Sequence, residues 1–174
     1  FHPDIIHFNN INFQLTPSVI LAGAEKNIPM VQTVHDLQML CPNHMMMEFG
    51  TWKLCEECSG KKCKMACVRK KCIHGSRAKS LIGAIEGTIY TNSHVYDRVA
   101  RYICPSRFIE QKLLSVPRYA GKTTMIHNFL SKTAEIDVPK GDYVLYFGRL
   151  SEEKGIDRIL AACRLLPEIP FVIA

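Results

Sequence analysis

The chain has 174 residues, of which 47% are hydrophobic and 22% charged, and a formal net charge of +6 at pH 7. This composition is ordinary for a globular protein with a packed core, and it excludes a disordered or low-complexity chain. No stretch holds the roughly 18 uncharged apolar residues that a membrane-spanning helix requires.

The first part of the sequence predicts strands alternating with a helix. PDIIHF, at residues 3–8, is an apolar run after a proline and predicts a buried strand. TPSVILAGAEKN predicts a helix with Thr16 as its N-cap and Pro17 at the first helical position, and IPMVQTVHD predicts a second strand. Two strands joined by a helix form a right-handed βαβ unit with parallel strands.

A long irregular stretch follows the second strand and extends to Cys72. It is far longer than the usual connection of about two to six residues, and such loops are usually functional or held by a staple. Residues 53–79 carry a net charge of +7, whereas the rest of the chain carries −1. This basic patch suits nucleic acid, anionic lipid head groups or phosphorylated substrates, and charge alone does not choose among them.

The second half of the sequence again alternates between helices and strands. A helix is predicted from about Ser76 to Val99, a strand at RYICPS, a helix after the N-cap Ser106, and a strand at KTTMIHNFL. YVLYFGRL, SEEKGIDRILAACRLL and PFVIA then predict a strand, a helix and a strand. The apolar residues that recur at spacings of three and four in the first of these helices are Leu81, Ile82, Ile85, Ile89 and Val95.

Three separated motifs together resemble the family-4 retaining glycosyltransferases of the GT-B type. They are PMVQTVHDLQMLCPN at 29–43, YICPSRFIEQKLL at 102–114 and YVLYFGRLSEEKGIDRILAA at 143–162, of which GRLSEEKG is the most specific. The resemblance implies an α/β fold of GT-B type. Its parts would be a Rossmann-like parallel-sheet domain at 1–130 with a Cys-rich insertion at about 41–75, a linker at 131–142, and the first β-α-β elements of a second Rossmann-like domain at 143–174.

The resemblance also implies the activity. Such an enzyme transfers a hexose from a UDP- or GDP-sugar to a polysaccharide or lipid-linked glycan with retention of configuration, and without a catalytic metal. We expect a cytoplasmic protein, peripheral at the inner face of the membrane. The family's glycine-rich loop would precede Phe1 and its E-x7-E glutamates would follow Ala174, so the chain is expected to be a fragment that is inactive alone.

The resemblance assigns cleft residues in the first domain. His35 and Asp36 follow a strand and would face the transferred sugar, although a histidine at a strand end is often structural. Asn9 ends the first strand, and Ser106 stands at a helix N-terminus where either helix capping or an anion would use it. Asn128 matches the asparagine of the crossover between the domains, but Phe129 stands where glycine is common.

The resemblance assigns the donor diphosphate to Gly148, Arg149 and Lys154. Charge builds on the leaving diphosphate, and a guanidinium fork, an ammonium and closely approaching backbone stabilise it. The alternative is that Arg149 and Lys154 are surface charges paired with Glu152 and Glu153.

Five of the eight cysteines lie between residues 55 and 72. Cys55, Cys58, Cys67 and Cys72 have a spacing that suits a structural zinc ion, with Cys63 as an alternative ligand. Disulfides compete if the protein works outside the cytosol, and unliganded thiols are the third reading. The cysteines in apolar sequence surroundings, which are predicted to be buried, are Cys41, Cys104 and Cys163.

Two other functions stay open at this point. One is a zinc-ribbon-type nucleic-acid-binding module, which is disfavoured because residues 55–72 contain no Phe, Tyr or Trp on which a base could stack. We therefore expect no nucleic-acid partner. The other is a non-catalytic glycosyltransferase relative, because the E-x7-E glutamates are not in this sequence.

Overall fold

Two units make up the chain, Phe1–Phe129 and Leu130–Ala174. The computed structural model describes residues 2–11, 15–131 and 141–174. Most of the linker predicted at 131–142 lies outside these ranges. Within them, no helix has both the length and the apolar character needed to cross a membrane.

The first unit is built on a parallel sheet. Its four strands, in spatial order, are β1 (Ile6–Phe8), β2 (Met30–Thr33), β3 (Arg101–Cys104) and β4 (Thr123–Met125). Every pair of neighbours is parallel, with Val31 opposite Arg101 and Tyr102 opposite Thr123. The predicted α/β class with a parallel sheet is confirmed, and the arrangement is compatible with a Rossmann-like fold.

Strand β1 is less buried than the sequence predicted. Its residues are half-buried or exposed, and the preceding Ile5 is 56% exposed. The physical reason is that β2 is the only neighbour of β1 among the described strands. The His7 ring nitrogen Nε2 lies 2.8 Å from Thr33 Oγ1, which adds a side-chain hydrogen bond between the two strands.

Four helices connect or flank these strands: α1 (Ser18–Glu25), α2 (Ala66–Arg69), α3 (Arg77–Asn92) and α4 (Arg107–Leu114). Helix α1 begins one residue later than predicted, with Thr16 Oγ1 accepting from the Ser18 amide at 3.4 Å. The Ser106 hydroxyl accepts from the Ile109 amide at 3.4 Å, so the predicted N-cap of α4 is confirmed. Short 3₁₀ helices follow at Val95–Arg98 and Pro117–Tyr119.

Helix α3 is shorter than predicted, and most of its recurring apolar residues face away from the core. It ends at Asn92, and His94 adopts a left-handed conformation with φ of 55°. Of the recurring apolar residues only Val95 is buried, whereas Ile82 is 68% exposed. The buried residues within α3 are instead small: Ser80, Ala84 and Thr91.

Close packing explains this orientation of α3. A Cβ added at Gly83 would lie 2.4 Å from Ile73 Cδ1, and one added at Gly87 would lie 3.4 Å from Lys64 Cγ and from Pro42 Cγ. The helix therefore approaches the preceding segment through its smallest residues. Gly83 and Gly87, which weaken the helical pattern in the sequence, permit this contact.

The main core lies around β2 and β3 and continues into the irregular stretch. Val34, Leu37 and Leu40, which follow β2, are each at most 3% exposed. Tyr102 and Tyr119 pack edge to face with ring centroids 5.4 Å apart, and the Tyr102 hydroxyl donates to the Tyr96 carbonyl at 2.5 Å. The first residues of the long connection are thus part of the core.

The second unit is a βαβ element. Strands β5 (Val144–Tyr146) and β6 (Phe171–Ile173) are parallel, and a 3₁₀ helix (Glu152–Lys154) and α5 (Ile156–Leu165) connect them. The predicted single helix is therefore split, because Gly155 adopts a left-handed φ of 74° between the two parts. No residue of α5 is buried.

The three cysteines predicted to be buried do not all behave alike. Cys41 and Cys104 are buried in the first unit, as predicted. Cys163 is only half-buried, because it lies on α5, where the two strands of this unit cover little of the helix.

Helix α4 supplies a matched test of the fold. Leu113 is fully buried in the core, whereas the adjacent Leu114 is 47% exposed. We expect Leu113→Ala to lower the free energy of unfolding by about 2–5 kcal/mol, because it leaves a cavity. Leu114→Ala should cost less than about 1 kcal/mol. Urea denaturation followed by circular dichroism measures both, and equal losses would contradict this packing of α4.

Candidate functional site

The predicted cleft residues of the first unit lie at one edge of its sheet. Because all four strands are parallel, their carboxyl ends share this edge, where ligands of α/β proteins bind. Asn9 follows β1 directly, His35 lies two residues beyond β2, and Ser106 lies two residues beyond β3. Asn128 lies three residues beyond β4. The structure therefore collects these four residues at the carboxyl edge.

His35 and Asp36 have different surroundings. His35 is exposed, whereas Asp36 is half-buried and its Oδ1 accepts from the Gln38 amide at 3.1 Å. Asp36 Oδ2 also lies 4.0 Å from Nδ1 of His44. Asp36 therefore shapes the turn after β2, and His35 is the more accessible of the two to a ligand.

His44 is a neighbour of this edge that sequence reasoning did not single out. Burial lowers the pKa of His44, and this effect outweighs the nearby carboxylates of Asp36 and Glu86, which raise it. Its backbone is left-handed, with φ of 66°. No spacing rule marks a histidine after CPN, so only the folded loop reveals its proximity to Asp36.

Asn43 organises the turn that carries the CPN motif. Its side-chain oxygen accepts from the Cys41 thiol at 3.0 Å and from the Met45 amide at 3.2 Å. Its side-chain nitrogen donates to the Met47 carbonyl at 2.5 Å. These bonds hold the beginning of the long connection next to the sheet edge, and they give Cys41 a packing role.

The ends of β3 and β4 are tied together at the same edge. His127 Nδ1 donates to the Pro105 carbonyl at 3.0 Å. The Ser106 hydroxyl is engaged in capping α4, which matches the capping alternative for this residue. Asn128, which directly follows His127, is exposed.

The cysteine segment forms a second buried cluster next to α3. Cys58, Cys67 and Cys72 pack with Ala84 of α3, whereas Cys55 is half-buried and Cys63 is exposed. All eight cysteines have free thiols. Within 2–11, 15–131 and 141–174, no group of three or more His, Cys, Asp or Glu side chains is arranged to hold a metal ion.

The thiols of this cluster are held in the neutral form. Burial raises the pKa of Cys67 to about 12, and it also raises the pKa of Cys58 and Cys72. Cys67 forms a side-chain hydrogen bond with Cys72. Cys41 adjoins the same group, and burial raises its pKa to about 11.

Lys64 is not part of an exposed basic patch, although it is one of the basic residues within 53–79. It is 2% exposed, and its Nζ donates to the Cys58 carbonyl at 2.7 Å and to the Leu40 carbonyl at 3.3 Å. Burial lowers the pKa of Lys64. Among the ion pairs of the described residues, none involves Lys64.

Lys70 is also engaged within the segment. Its Nζ lies 2.5 Å from Glu48 Oε1 and 2.6 Å from Glu57 Oε1, and these hydrogen bonds raise the pKa of Lys70. Arg69 pairs with Glu57 as well. Ion pairs with glutamates therefore neutralise part of the positive charge of residues 53–79. One of these glutamates, Glu48, lies outside that range.

The donor-site candidates lie in the second unit, after β5. Arg149 Nη2 is 2.5 Å from Glu153 Oε1. This is an ion pair of the kind expected if Arg149 is a surface charge. The Tyr146 hydroxyl donates to the Arg149 carbonyl at 2.7 Å, and a Cβ added at Gly148 would lie 3.2 Å from that hydroxyl oxygen. Lys154 is exposed and ends the 3₁₀ helix immediately before Gly155.

No family model, curated protein or solved structure matches the chain. Two candidate sites are therefore defined by their own residues, each within its own unit. One is the carboxyl edge of the parallel sheet in the first unit, and the other is the turn after β5 in the second unit.

His44 gives this region a testable pH dependence. Its folded-state pKa is lowered from 6.5, so the unfolded chain binds the proton more readily. The associated stability is present above pH 6.5 and is lost as the pH falls through the lowered folded-state pKa. His44→Asn keeps a residue that tolerates left-handed backbone. We expect this variant to have a melting temperature that depends less on pH between about pH 7.5 and pH 5.

The control is His74→Asn, which changes an exposed histidine with a similar φ of 51°. Differential scanning fluorimetry across the pH range measures all three proteins. An unchanged slope in His44→Asn would contradict the buried, neutral state of this histidine.

Proposed function

We propose that the protein containing this chain is a retaining GT-B glycosyltransferase that moves a hexose from a nucleoside diphosphate sugar to a glycan or lipid-linked acceptor. The observation that carries the proposal is where the three motifs lie. TVHD and CPSRF begin at the last residues of the parallel strands β2 and β3, and FGRLSEEKG begins directly after β5. In α/β proteins these ends are where nucleotide and phosphate ligands bind.

The chemistry of the turn after β5 supports binding of a diphosphate. Gly148 has no side chain to obstruct a ligand, and Arg149 carries the guanidinium fork that suits phosphate oxygens. The Arg149 side chain is 75% exposed, and its partner Glu153 holds it from one side only. A donor diphosphate would compete with Glu153 for this guanidinium, and Lys154 would add a second positive charge.

In the proposed reaction, the bond between the anomeric carbon and the donor phosphate oxygen breaks. The acceptor oxygen forms its bond on the same face, and the leaving diphosphate takes the acceptor's proton. Arg149 and Lys154 stabilise the charge that builds on this diphosphate. His35 would contact the transferred sugar, and Asp36 would hold the turn that presents it.

Helix α3 supports an acceptor at a membrane surface. Its outward face exposes Ile82, Ile85 and Ile89, which line a groove of about 360 Å³ with Glu86 and Tyr90. Exposed Arg77 and Lys79 stand in the first turn of the helix. An apolar face beside basic residues suits an interface with anionic lipid, where a lipid-linked acceptor would be found.

The diphosphate assignment is tested with variants of the complete protein. We expect Arg149→Ala and Lys154→Ala each to lower kcat/KM for the UDP- or GDP-sugar at least about 100-fold, because each removes a charge that stabilises the leaving group. Coupled detection of released UDP or GDP measures turnover. Arg158→Ala changes an exposed arginine of α5 and serves as the control. Unchanged turnover in Arg149→Ala would refute the assignment.

The membrane interface has its own test, which is independent of turnover. We expect Ile85→Asp to weaken binding to phosphatidylserine-containing vesicles at least about tenfold, because it places a carboxylate in the apolar face. Leu114→Asp is the control, since Leu114 is similarly exposed but lies on α4. Vesicle co-sedimentation measures the binding. Equal effects of the two substitutions would argue against α3 as the contact.

A further inference from the structure

The cysteine segment lacks the regular structure that would hold it by itself. Between β2 and α3 the chain forms only the four-residue helix α2 and one isolated bridge, Met47 to Leu54. Its buried cluster consists of three cysteines and small or medium apolar residues. We propose that Cys55, Cys58, Cys67 and Cys72 bind one structural Zn²⁺ ion and that Cys63 does not.

The fold brings the two halves of the sequence pattern together. Cys67 lies on α2, Cys72 follows it, and the Cys72 amide donates to the Cys67 carbonyl at 3.1 Å. Cys58 packs in the same buried cluster. Cys63 is exposed, whereas the other cysteines of the segment are buried or, in the case of Cys55, half-buried. The folded chain thus favours four ligands from the five candidates, a choice that the spacing alone left open.

Cys55 completes the set from the edge of the cluster. It is half-buried, and Lys70 Nζ donates to its sulfur at 3.6 Å. Lys70 is itself held by Glu48 and Glu57, so its position beside Cys55 is fixed by two ion pairs.

The buried ammonium group of Lys64 is an independent observation that points to the same ion. This group donates to two backbone carbonyls, and one of them belongs to Cys58. A buried charge of this kind is costly unless an opposite charge lies nearby. Four thiolates around one Zn²⁺ carry a net charge of −2. A centre of this charge that includes Cys58 would place a negative charge next to the Lys64 ammonium group.

Binding exchanges protons for the metal. Four S–H groups lose four protons, four Zn–S bonds form, and the oxidation state of sulfur does not change. The protonated thiols pack against one another, and Cys67 forms a side-chain hydrogen bond with Cys72. Because protons are released, the affinity for zinc should fall as the pH is lowered.

Elemental analysis of the full chain, purified without chelators, tests the site. We expect about one zinc per chain in the wild type and in Cys63→Ser. Cys58→Ser and Cys67→Ser should retain less than about a fifth of that amount. Cys63→Ser is a matched control, because it makes the same substitution in the same segment. Zinc below about half an equivalent in the wild type, or equal loss in Cys63→Ser, would overturn the proposal.

A second measurement covers the case in which the cysteine variants fail to fold. Lys64→Met leaves all four sulfurs in place and removes only the ammonium group, with exposed Lys62→Met as its control. In competition with a chromogenic chelator, Lys64→Met should bind zinc roughly 10- to 100-fold more weakly than Lys62→Met, because groups around the ligands tune the affinity. Equal affinities would refute the role of Lys64.

The thiol content separates zinc from the other states of the cysteines. Denatured without reductant, a zinc-bound protein should yield all eight thiols to a thiol reagent, and a chelator should accelerate the reaction of the native protein. Fewer than eight would indicate disulfides and would overturn the proposal. Eight thiols with no effect of the chelator would also overturn it. None of these outcomes depends on glycosyl transfer, so the two proposals can fail separately.

Discussion

The close approach of helix α3 to the segment before it is the contact on which much of the first unit depends. A Cβ at Gly83 would collide with Ile73, and a Cβ at Gly87 would already touch Lys64 and Pro42. This approach encloses the cysteine cluster against Ala84 and excludes water from it. The larger apolar residues of α3 are consequently turned outward. One packing choice thus creates both a buried polar cluster and an exposed apolar helix face.

The enclosed cluster has an energetic cost that simple packing does not explain. An ammonium group and several thiols occupy buried positions of the kind that Leu and Val usually fill in protein cores. Replacing buried charged groups by apolar residues is often neutral or stabilising, so packing alone does not account for Lys64. A tetrahedral zinc–thiolate centre would explain both the cysteines and the lysine. It would also anchor a connection that contains little regular structure.

The parallel sheet performs a different task, which is to align residues from distant parts of the sequence. Since every strand runs in the same direction, the residues after each one meet at one edge, whatever the length of the intervening connection. His35 and Ser106 are separated by the entire cysteine segment and α3, yet each follows its strand by two residues. Local anchors such as Asn43 and His127 keep the loops in place at this edge.

The sequence alone determined the features that depend on neighbouring residues. The alternation of strands and helices and the cap at Ser106 follow from local periodicity and short-range hydrogen bonds. The parallel sheet follows from that alternation, because strands joined by helical crossovers run in the same direction. The orientation of α3, the burial of Lys64 and the exposure of Cys63 were decided by the tertiary structure. A periodic pattern shows which residues share a helix face, but which face becomes buried depends on how closely another segment can approach. Here glycine made the small-residue face the closer one, and no count of hydrophobic residues along the chain contains that information.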